Sequence, residues 1–198
     1  MRAHFVVSAA APDQFPAATA PEIVFAGRSN VGKSSLINDL TGQTGLARAS
    51  KTPGRTRLIN WFAVTPKASL SLHFVDVPGY GYAAVPLDMR ASWQPLIEAL
   101  LEGGRPISLV LVLIDMRRGL GDEEQDFLDW LAERGLASHV VLTKADKLSK
   151  AERGVVAAQL KRRLAGKAGV TAFSTLEQLG RDELWTAIFR AASPRAPR

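Results

Sequence analysis

Apolar runs alternate with segments of helical period along most of this chain of 198 residues. The clearest run, from Ile107 to Ile114, is almost unbroken, which is typical of a strand buried on both faces of a parallel sheet. Other apolar runs predict strands at 4–8, 22–26, 58–64, 70–75, 140–142 and 170–173. Helical spacing of apolar positions predicts helices at about 33–41, 88–102, 122–134, 149–165 and 176–192.

Strands that alternate with helices indicate a doubly wound α/β fold, in which ligands bind at the carboxyl ends of the strands. We expect a central, mostly parallel sheet of six strands with helices on both faces. The whole chain, 1–198, is predicted to be one domain, with an N-terminal extension at 1–20 and a flexible tail at 192–198.

Local signals refine this outline. Ser149 to Glu152 and Thr175 to Gln178 have the spacing of a capping box, so each is expected to begin a helix. Residues 65–69 are predicted to join two strands as a hairpin. Residues 42–57 lack apolar periodicity and predict a long loop, and loops of that length in a compact domain are usually functional.

The strand predicted at 22–26 leads into an octapeptide that fits the phosphate-binding pattern G-x-x-x-x-G-K-[ST]. It reads Gly27, Arg28, Ser29, Asn30, Val31, Gly32, Lys33 and Ser34. Between a strand and a helix, such a loop turns its backbone N–H groups toward a phosphate at the positive helix end. Lys33 is expected to reach the outer phosphates, and the Ser34 hydroxyl to bind Mg²⁺.

A second motif follows the strand predicted at 70–75 and comprises Asp76, Val77, Pro78 and Gly79. In isolation this sequence is an ordinary turn. Downstream of a phosphate loop, however, an aspartate at the end of a strand can hold Mg²⁺ through a water. The Gly79 N–H is then in a position to sense a γ-phosphate.

A third motif ends the strand predicted at 140–142 and comprises Thr143, Lys144, Ala145 and Asp146. The Asp146 carboxylate can accept two hydrogen bonds from guanine, whereas adenine would leave it unpaired. The stem of Lys144 can lie against the base. Backbone N–H groups of Phe173, Ser174 and Thr175 are expected at the guanine carbonyl. The order of motifs therefore favours GTP over ATP.

The long loop contains a threonine that should supply a second hydroxyl to Mg²⁺. Thr56 is preferred because it immediately precedes the strand at 58, and Thr52 is the rival. Four basic residues accompany them, namely Arg48, Lys51, Arg55 and Arg57. If the γ-phosphate orders this loop, these side chains couple RNA affinity to the bound nucleotide. The alternative is that they are only solvated.

The net charge of +6 and the pI near 10.0 are unevenly distributed. Basic residues exceed acidic ones in 1–75 and 147–198, and acidic residues exceed basic ones in 76–135. This asymmetry suggests RNA as a partner, against the alternative of a basic surface that only aids solubility. Cysteine is absent, and no apolar run approaches the length of a membrane span. We therefore expect a cytoplasmic protein.

Taken together, these motifs resemble the EngB-type ribosome-biogenesis GTP-binding proteins. The most specific matches are the Gly-Arg-Ser-Asn loop at 27–30 and the Pro-Gly-Tyr-Gly-Tyr-Ala run at 78–83. The resemblance implies a Ras-like fold, Ser34 and Thr56 as Mg²⁺ ligands, and a monomer that helps to assemble the large ribosomal subunit and supports cell division and septation. It also places a five-residue stretch at the nucleotide, namely Gly54, Arg55, Thr56, Arg57 and Leu58. Arg117-Arg118-Gly119 departs from the usual turn residues after Asp115.

Two further features concern hydrolysis. Tyr80 stands where Ras-like enzymes place a water-orienting glutamine, so slow intrinsic hydrolysis is expected. The Asn30 amide could hold K⁺ beside the phosphates. Two other functions stay open at this point: a P-loop phosphotransferase that uses ATP, and an RNA-binding module that nucleotide only stabilises.

Overall fold

The computed structural model describes residues 1–48, 58–67, 70–79 and 87–193, with backbone alone at 67 and 87–94. These residues form seven strands: β1 Arg2–Ala9, β2 Glu22–Gly27, β3 Ile59–Lys67, β4 Leu70–Asp76, β5 Ile107–Asp115, β6 Ser138–Thr143 and β7 Ala168–Ala172. They also form five α-helices: α1 Lys33–Thr41, α2 Leu87–Glu102, α3 Asp122–Glu133, α4 Lys150–Arg163 and α5 Arg181–Ala192. Short 3₁₀ turns occur at Pro12–Gln14 and Ala145–Lys147.

The seven strands form one sheet in the order β1-β3-β4-β2-β5-β6-β7. β2 pairs in parallel with β4 and β5, and the parallel pairing continues through β6 and β7. β3 and β4 are antiparallel neighbours, as the predicted hairpin requires. The α/β class is confirmed, but the expected strand number of six is wrong for the described residues. β1 adds a seventh strand, since it pairs antiparallel along β3 from Arg2 to Ala9.

Two apolar layers cover the two faces of the sheet. One layer packs α2, α3 and α4 on the sheet through buried residues such as Leu100, Leu131 and Leu160. The other packs α1 and α5 through residues such as Leu36, Leu40 and Ile188. Because the central strands are covered on both sides, β5 is buried from Leu109 to Asp115, as its unbroken apolar run predicts.

The capping box at the start of α4 is confirmed, since the Ser149 side chain accepts from the Glu152 N–H and Glu152 accepts from the Ser149 N–H. The second predicted capping box is wrong. Residues 175–179 form a turn closed by a bridge between Ser174 and Leu179, and α5 begins only at Arg181. Its N-cap is Gly180, whose φ of 83° is in the left-handed region and which has no side chain to cap the helix.

A buried ion pair stands at the edge of the sheet opposite to the carboxyl ends of the parallel strands. Glu22, fully buried at the start of β2, accepts two hydrogen bonds from Arg105 at 2.6 and 2.9 Å. Arg105 also donates to the Pro16 carbonyl and lies over the rings of Phe15 and Trp61. This cluster fastens residues 15–16 to the sheet. Among the described residues, no helix has the length and apolarity that crossing a bilayer requires.

Candidate nucleotide-binding site

The phosphate loop begins where β2 passes closest to β5. A Cβ on Gly27 would lie 2.7 Å from the Leu113 carbonyl oxygen, so only glycine allows this approach without a shift. At the other end of the loop, Gly32 is the N-cap of α1 with a φ of 113°. Asn30 has a φ of 60°, which this residue type tolerates. The chain therefore makes the tight turn between strand and helix that its pattern predicts.

Two carbonyls of the phosphate loop are held by the Thr143–Asp146 motif. The Thr143 hydroxyl donates to the Val31 carbonyl at 2.7 Å, and the Lys144 ammonium donates to the Asn30 carbonyl at 2.8 Å. These hydrogen bonds fix the orientation of two carbonyls in the loop. The two motifs, more than 100 residues apart in sequence, thus form one unit.

Lys33 of the phosphate loop and Asp76 at the end of β4 are buried and lie close enough to interact electrostatically. Burial raises the pKa of Asp76 to about 6, although the nearby Lys33 ammonium opposes this shift. Burial likewise lowers the pKa of Lys33, and Asp76 opposes that change. Both shifts indicate that desolvation outweighs the mutual attraction of the pair. The site therefore holds a buried amine and a buried carboxyl that additional charged ligands would stabilise in their ionised forms.

The residues fit a Mg²⁺ ion. Asp76 is only 8% exposed, and its buried Oδ1 has no hydrogen-bond partner among the described residues. Ser34 lies in the first turn of α1, next to Lys33, and offers a hydroxyl oxygen. Oxygen donors of these two kinds are the ligands that Mg²⁺ prefers. Thr56 and its rival Thr52 lie outside the described residues.

Gly79 packs directly on the phosphate loop. The Ser29 hydroxyl donates to the Gly79 carbonyl at 3.3 Å, and a Cβ on Gly79 would lie 2.8 Å from the Ser29 nitrogen. Val77, two residues earlier, donates its N–H to the Phe25 carbonyl of β2. The Asp76–Gly79 segment therefore lies against the loop, as its predicted role at the γ-phosphate requires.

The two loops predicted to recognise the base contact each other. The Ser174 hydroxyl donates to Asp146 Oδ1 at 2.8 Å, and Ala145 donates its N–H to the Phe173 carbonyl at 3.1 Å. The Ser174 hydrogen bond, with help from Lys147, lowers the pKa of Asp146, so this carboxyl is ionised at neutral pH. Thr175 is exposed beside them.

Sequence reasoning missed three contacts around this site. It expected the N–H groups of Phe173 and Ser174 at the guanine carbonyl, whereas they donate to the carbonyls of Leu142 and Leu179. The Ser174 hydroxyl instead orients Asp146. It gave no role to Asp115, which contacts Lys144 and Arg117. It also did not foresee that Arg28 pairs with Glu123 of α3 at 2.8 Å. No local pattern predicts the contacts of Ser174, Lys144 and Arg28, since their partners lie far away in sequence.

A cavity of about 360 Å³ adjoins the loop on the side of α3. Its lining combines loop residues with the end of β5 and the start of α3, including Arg28, Asn30, Asp115, Arg118, Glu124 and Lys144. Other predicted site residues, namely Gly54, Arg55, Thr56 and Arg57, lie outside the described residues, as does Tyr80. Leu58 is described and is 37% exposed.

Comparison with known proteins places this geometry in a family. The family described as 50S ribosome-binding GTPase matches residues 22–144. A probable GTP-binding protein EngB of Trichlorobacter lovleyi is 45% identical over 194 residues, covering 98% of this chain and 96% of the relative. A probable GTP-binding protein EngB of Geobacter metallireducens is 46% identical over 187 residues, covering 94% and 90%.

A solved structure agrees. The crystal structure of a probable GTP-binding protein engB superposes with a TM-score of 0.67 and 25% identity, covering 86% of this chain and 98% of that one. Fold and sequence therefore define an α/β P-loop GTPase, an enzyme that hydrolyses GTP. Within that class, the chain belongs to the EngB family of GTP-binding proteins.

Proposed function

We propose that this protein is a GTP-driven switch that assists assembly of the large ribosomal subunit. In this proposal the GTP-bound form engages a precursor of the subunit, and hydrolysis to GDP releases it. The protein acts in the cytoplasm as a monomer, and its loss impairs cell division and septation because ribosome supply falls. The observation that most supports a guanine-specific switch is the hydrogen bond that holds the ionised Asp146 carboxylate on Ser174.

The base site is proposed to comprise Thr143 to Asp146 and Phe173 to Thr175. One oxygen of Asp146 already accepts from Ser174, and the carboxylate keeps lone pairs for the ring N–H and exocyclic amine of guanine. Adenine has no such pair of donors and would leave the acid unsatisfied, at a cost of about 1–3 kcal/mol or more. This difference is the proposed basis of preference for GTP.

The phosphate site is proposed to comprise the loop from Gly27 to Ser34 with Lys33 at the outer phosphates. Mg²⁺, when bound, would neutralise phosphate charge, with Ser34 and Thr56 as direct ligands and Asp76 acting through a water. The unpartnered Oδ1 of Asp76 supports this role. Gly79 would offer its N–H to the γ-phosphate, and residues Gly54 to Leu58 would close over the nucleotide.

Hydrolysis is proposed to be slow without an activator, because Tyr80 cannot orient the attacking water as a glutamine does. The Asn30 amide is proposed to bind K⁺ beside the phosphates, where the ion would supply positive charge to the transition state. The left-handed backbone at Asn30 and the anchoring of its carbonyl by Lys144 fix its place in the loop.

The ribosomal partner is proposed on two grounds. The matching family is described by its binding to the 50S ribosome. The chain is also basic overall, with its excess of Lys and Arg concentrated in 1–75 and 147–198. Ribosomal RNA is a polyanion, and basic side chains that replace its counterions gain affinity. The basic residues that accompany Thr56 would link this affinity to the nucleotide state, although only Arg48 of that group is described, as an exposed residue.

The proposal is tested by sedimentation with large ribosomal subunits and with their precursor particles. Wild-type protein is mixed with particles in Mg²⁺ buffer with GDP, with a nonhydrolysable GTP analogue, or without nucleotide. We expect pelleting with the analogue and little with GDP. Lys33→Ala should pellet in neither state, because it lacks the amine for the outer phosphates. Glu133→Ala, a change at an exposed residue of α3 outside the two basic segments, is the control and should behave as wild type.

Each alternative function has its own outcome in these experiments. Equal pelleting with GDP and with the analogue contradicts the switch and supports an RNA-binding module that nucleotide only stabilises. Equal affinity for ATP and GTP in a competition titration contradicts the guanine site and supports a phosphotransferase. Depletion in the host should cause precursors of the large subunit to accumulate before septation fails, and the reverse order contradicts the proposed role.

A further inference from the structure

Asp115 stands at the centre of a charged cluster at the carboxyl end of β5. Arg117 donates to both of its oxygens, from Nε to Oδ1 at 2.9 Å and from Nη2 to Oδ2 at 2.6 Å. The Arg117 backbone N–H adds a third hydrogen bond to Oδ1 at 3.1 Å. The carboxylate is only 8% exposed and is held in one plane by this fork.

The same carboxylate contacts Lys144. The Lys144 ammonium lies 3.2 Å from Asp115 Oδ2 and donates to the Asn30 carbonyl of the phosphate loop at 2.8 Å. Lys144 thus bridges the end of β5 and the loop. Hydrogen bonds from Arg117 and Lys144 outweigh the effect of burial and hold the pKa of Asp115 well below its usual range, so the acid is charged at neutral pH.

This arrangement matters because a lysine side chain is flexible. Its four-carbon stem loses considerable rotamer entropy when the ammonium is fixed, so one exposed hydrogen bond holds it poorly. The Asp115 carboxylate is a charged acceptor that Arg117 already holds in place, so it confines the Lys144 ammonium to one position. The stem of Lys144 is then confined as well, and its backbone, with a φ of 57°, already departs from the ordinary regions.

We infer that Asp115 and Arg117 are positioning residues that fix Lys144 on the phosphate loop and thereby slow the release of guanine nucleotide. The inference rests on the proposed function, in which the Lys144 stem lies against the base. Arg117 fixes the Asp115 carboxylate, and this carboxylate fixes the Lys144 ammonium. The ammonium binds the Asn30 carbonyl, and the Lys144 stem that is proposed to lie against guanine is fixed with it. Arg117, to which the sequence assigned no role, gains one in this way.

The test measures dissociation of a fluorescent GDP derivative from the full chain with Mg²⁺ present. Asp115→Ala should raise the dissociation rate about tenfold, as expected for loss of a charge-assisted contact that is partly exposed. Arg117→Ala should raise it about threefold, because the Asp115 contact with Lys144 remains. Arg117→Lys keeps the charge without the fork and should recover only part of the loss. Lys167→Ala, at an exposed lysine that pairs with Asp129 away from the phosphate loop, is the control and should leave the rate unchanged.

A double-mutant cycle separates positioning from a general structural effect. Lys144→Met keeps the aliphatic stem but removes the ammonium. In that background Asp115→Ala should change the dissociation rate less than about twofold, because the contact through which it acts is gone. An unchanged rate for Asp115→Ala in the wild-type background overturns the inference. So does an equal, additive effect in both backgrounds, since Asp115 would then act by another route.

Folding and the proposed function are checked separately. Thermal unfolding of the nucleotide-free proteins shows whether a variant is folded. If Asp115→Ala does not fold, the test relies on Arg117→Ala, which changes an exposed side chain. An unchanged dissociation rate for Arg117→Ala then overturns the inference. If the wild-type protein does not bind GDP at all, the proposed guanine site fails. If it binds GDP and the Asp115 and Arg117 variants release it at the wild-type rate, the site stands and only the positioning role is rejected.

Discussion

The Ser174 hydroxyl donates a hydrogen bond to the Asp146 carboxylate at 2.8 Å, although the two residues lie 28 positions apart in sequence. The contact joins the end of β6 to the end of β7 on the nucleotide side of the sheet. One carboxylate oxygen is thereby fixed before any ligand arrives. Preorganisation of this kind reduces the cost of ordering a recognition group when the ligand binds.

Replacing Asp146 by Asn should change the preferred base from guanine to xanthine. The amide offers one acceptor and one donor, so it cannot accept both guanine protons but suits xanthine, whose 2-oxo group is an acceptor. Affinity for GDP should fall about 100-fold and affinity for xanthosine diphosphate should rise, as measured by calorimetric titration. Asp129→Asn, at an exposed acid paired with Lys167, is the control. Unchanged GDP affinity for Asp146→Asn contradicts the assignment of the base site.

Replacing Gly79 by Ala should weaken binding of a GTP analogue more than binding of GDP. The added methyl would lie 2.8 Å from the Ser29 nitrogen and 2.9 Å from its Cα, and neither backbone atom can move aside cheaply. The Asp76–Gly79 segment would be displaced from the γ-phosphate, which only GTP carries. The ratio of the two dissociation constants is the measurement. Gly154→Ala in α4 meets open space and should leave this ratio unchanged.

Replacing Arg105 by Met should destabilise the fold without changing nucleotide affinity. Glu22 is fully buried, and loss of its partner leaves an uncompensated charge, which costs about 3–5 kcal/mol. Urea unfolding measures the change. Lys167→Met removes an exposed partner of Asp129 and should cost less than about 1 kcal/mol. Similar decreases in the free energy of unfolding for both variants would show that the burial of Glu22 does not determine how much stability is lost.

His139 should make the fold less stable as the pH falls. Burial, with help from the Lys161 charge, lowers its pKa from 6.5 to about 4, and its Nε2 lies 2.9 Å from the Thr171 hydroxyl. Because the unfolded chain binds the proton more readily, this stability is complete above about pH 6.5 and is lost progressively as the pH falls toward 4. The loss amounts to roughly 3 kcal/mol.

The measurement for His139 is the difference between wild type and His139→Gln in urea unfolding from pH 7.5 to 4.5. A difference is needed because Asp76, whose pKa is raised to about 6, changes stability in the opposite direction over part of this range. We expect the wild type to lose stability relative to the variant as the pH is lowered. Parallel curves would show that His139 titrates normally in the folded protein.

Potassium should accelerate GTP hydrolysis relative to sodium. The proposed Asn30 ligand selects a monovalent cation beside the phosphates, and K⁺ there would stabilise developing negative charge. Single-turnover hydrolysis at constant ionic strength should be several-fold faster in KCl than in NaCl. Asn30→Ala should remove the difference while GDP remains bound. Equal wild-type rates in the two salts reject the potassium site.

The outline of the fold could be predicted because strands that are buried on both faces have apolar residues at nearly every position. The run from Ile107 to Ile114 is apolar except at Ser108 since both faces of β5 are covered. The start of α5 could not be predicted from the Thr175 to Gln178 spacing. That segment instead forms the turn whose first residue, Ser174, holds Asp146, so tertiary contacts overrode a local capping signal.

The site divides in the same way. The order and spacing of the motifs predicted which loops come together at the carboxyl ends of the strands, because each motif ends a parallel strand or begins a helix. Contacts such as Lys144 with Asp115 could not be foreseen, since they depend on which strands are neighbours. The sheet order β2-β5-β6, which places the end of β5 between two motif loops, is a property of the folded chain.

The Arg105 cluster bears on how a minimal domain should be trimmed for crystallisation or NMR. The motifs alone suggest starting at Pro21, just before the strand that leads to the phosphate loop. Such a fragment would strip β3 of its outer partner and leave the Arg105 guanidinium without the Pro16 carbonyl and the Phe15 ring. An exposed β3 edge is also a template for association with other chains. The shortest fragment that remains monodisperse should therefore retain β1.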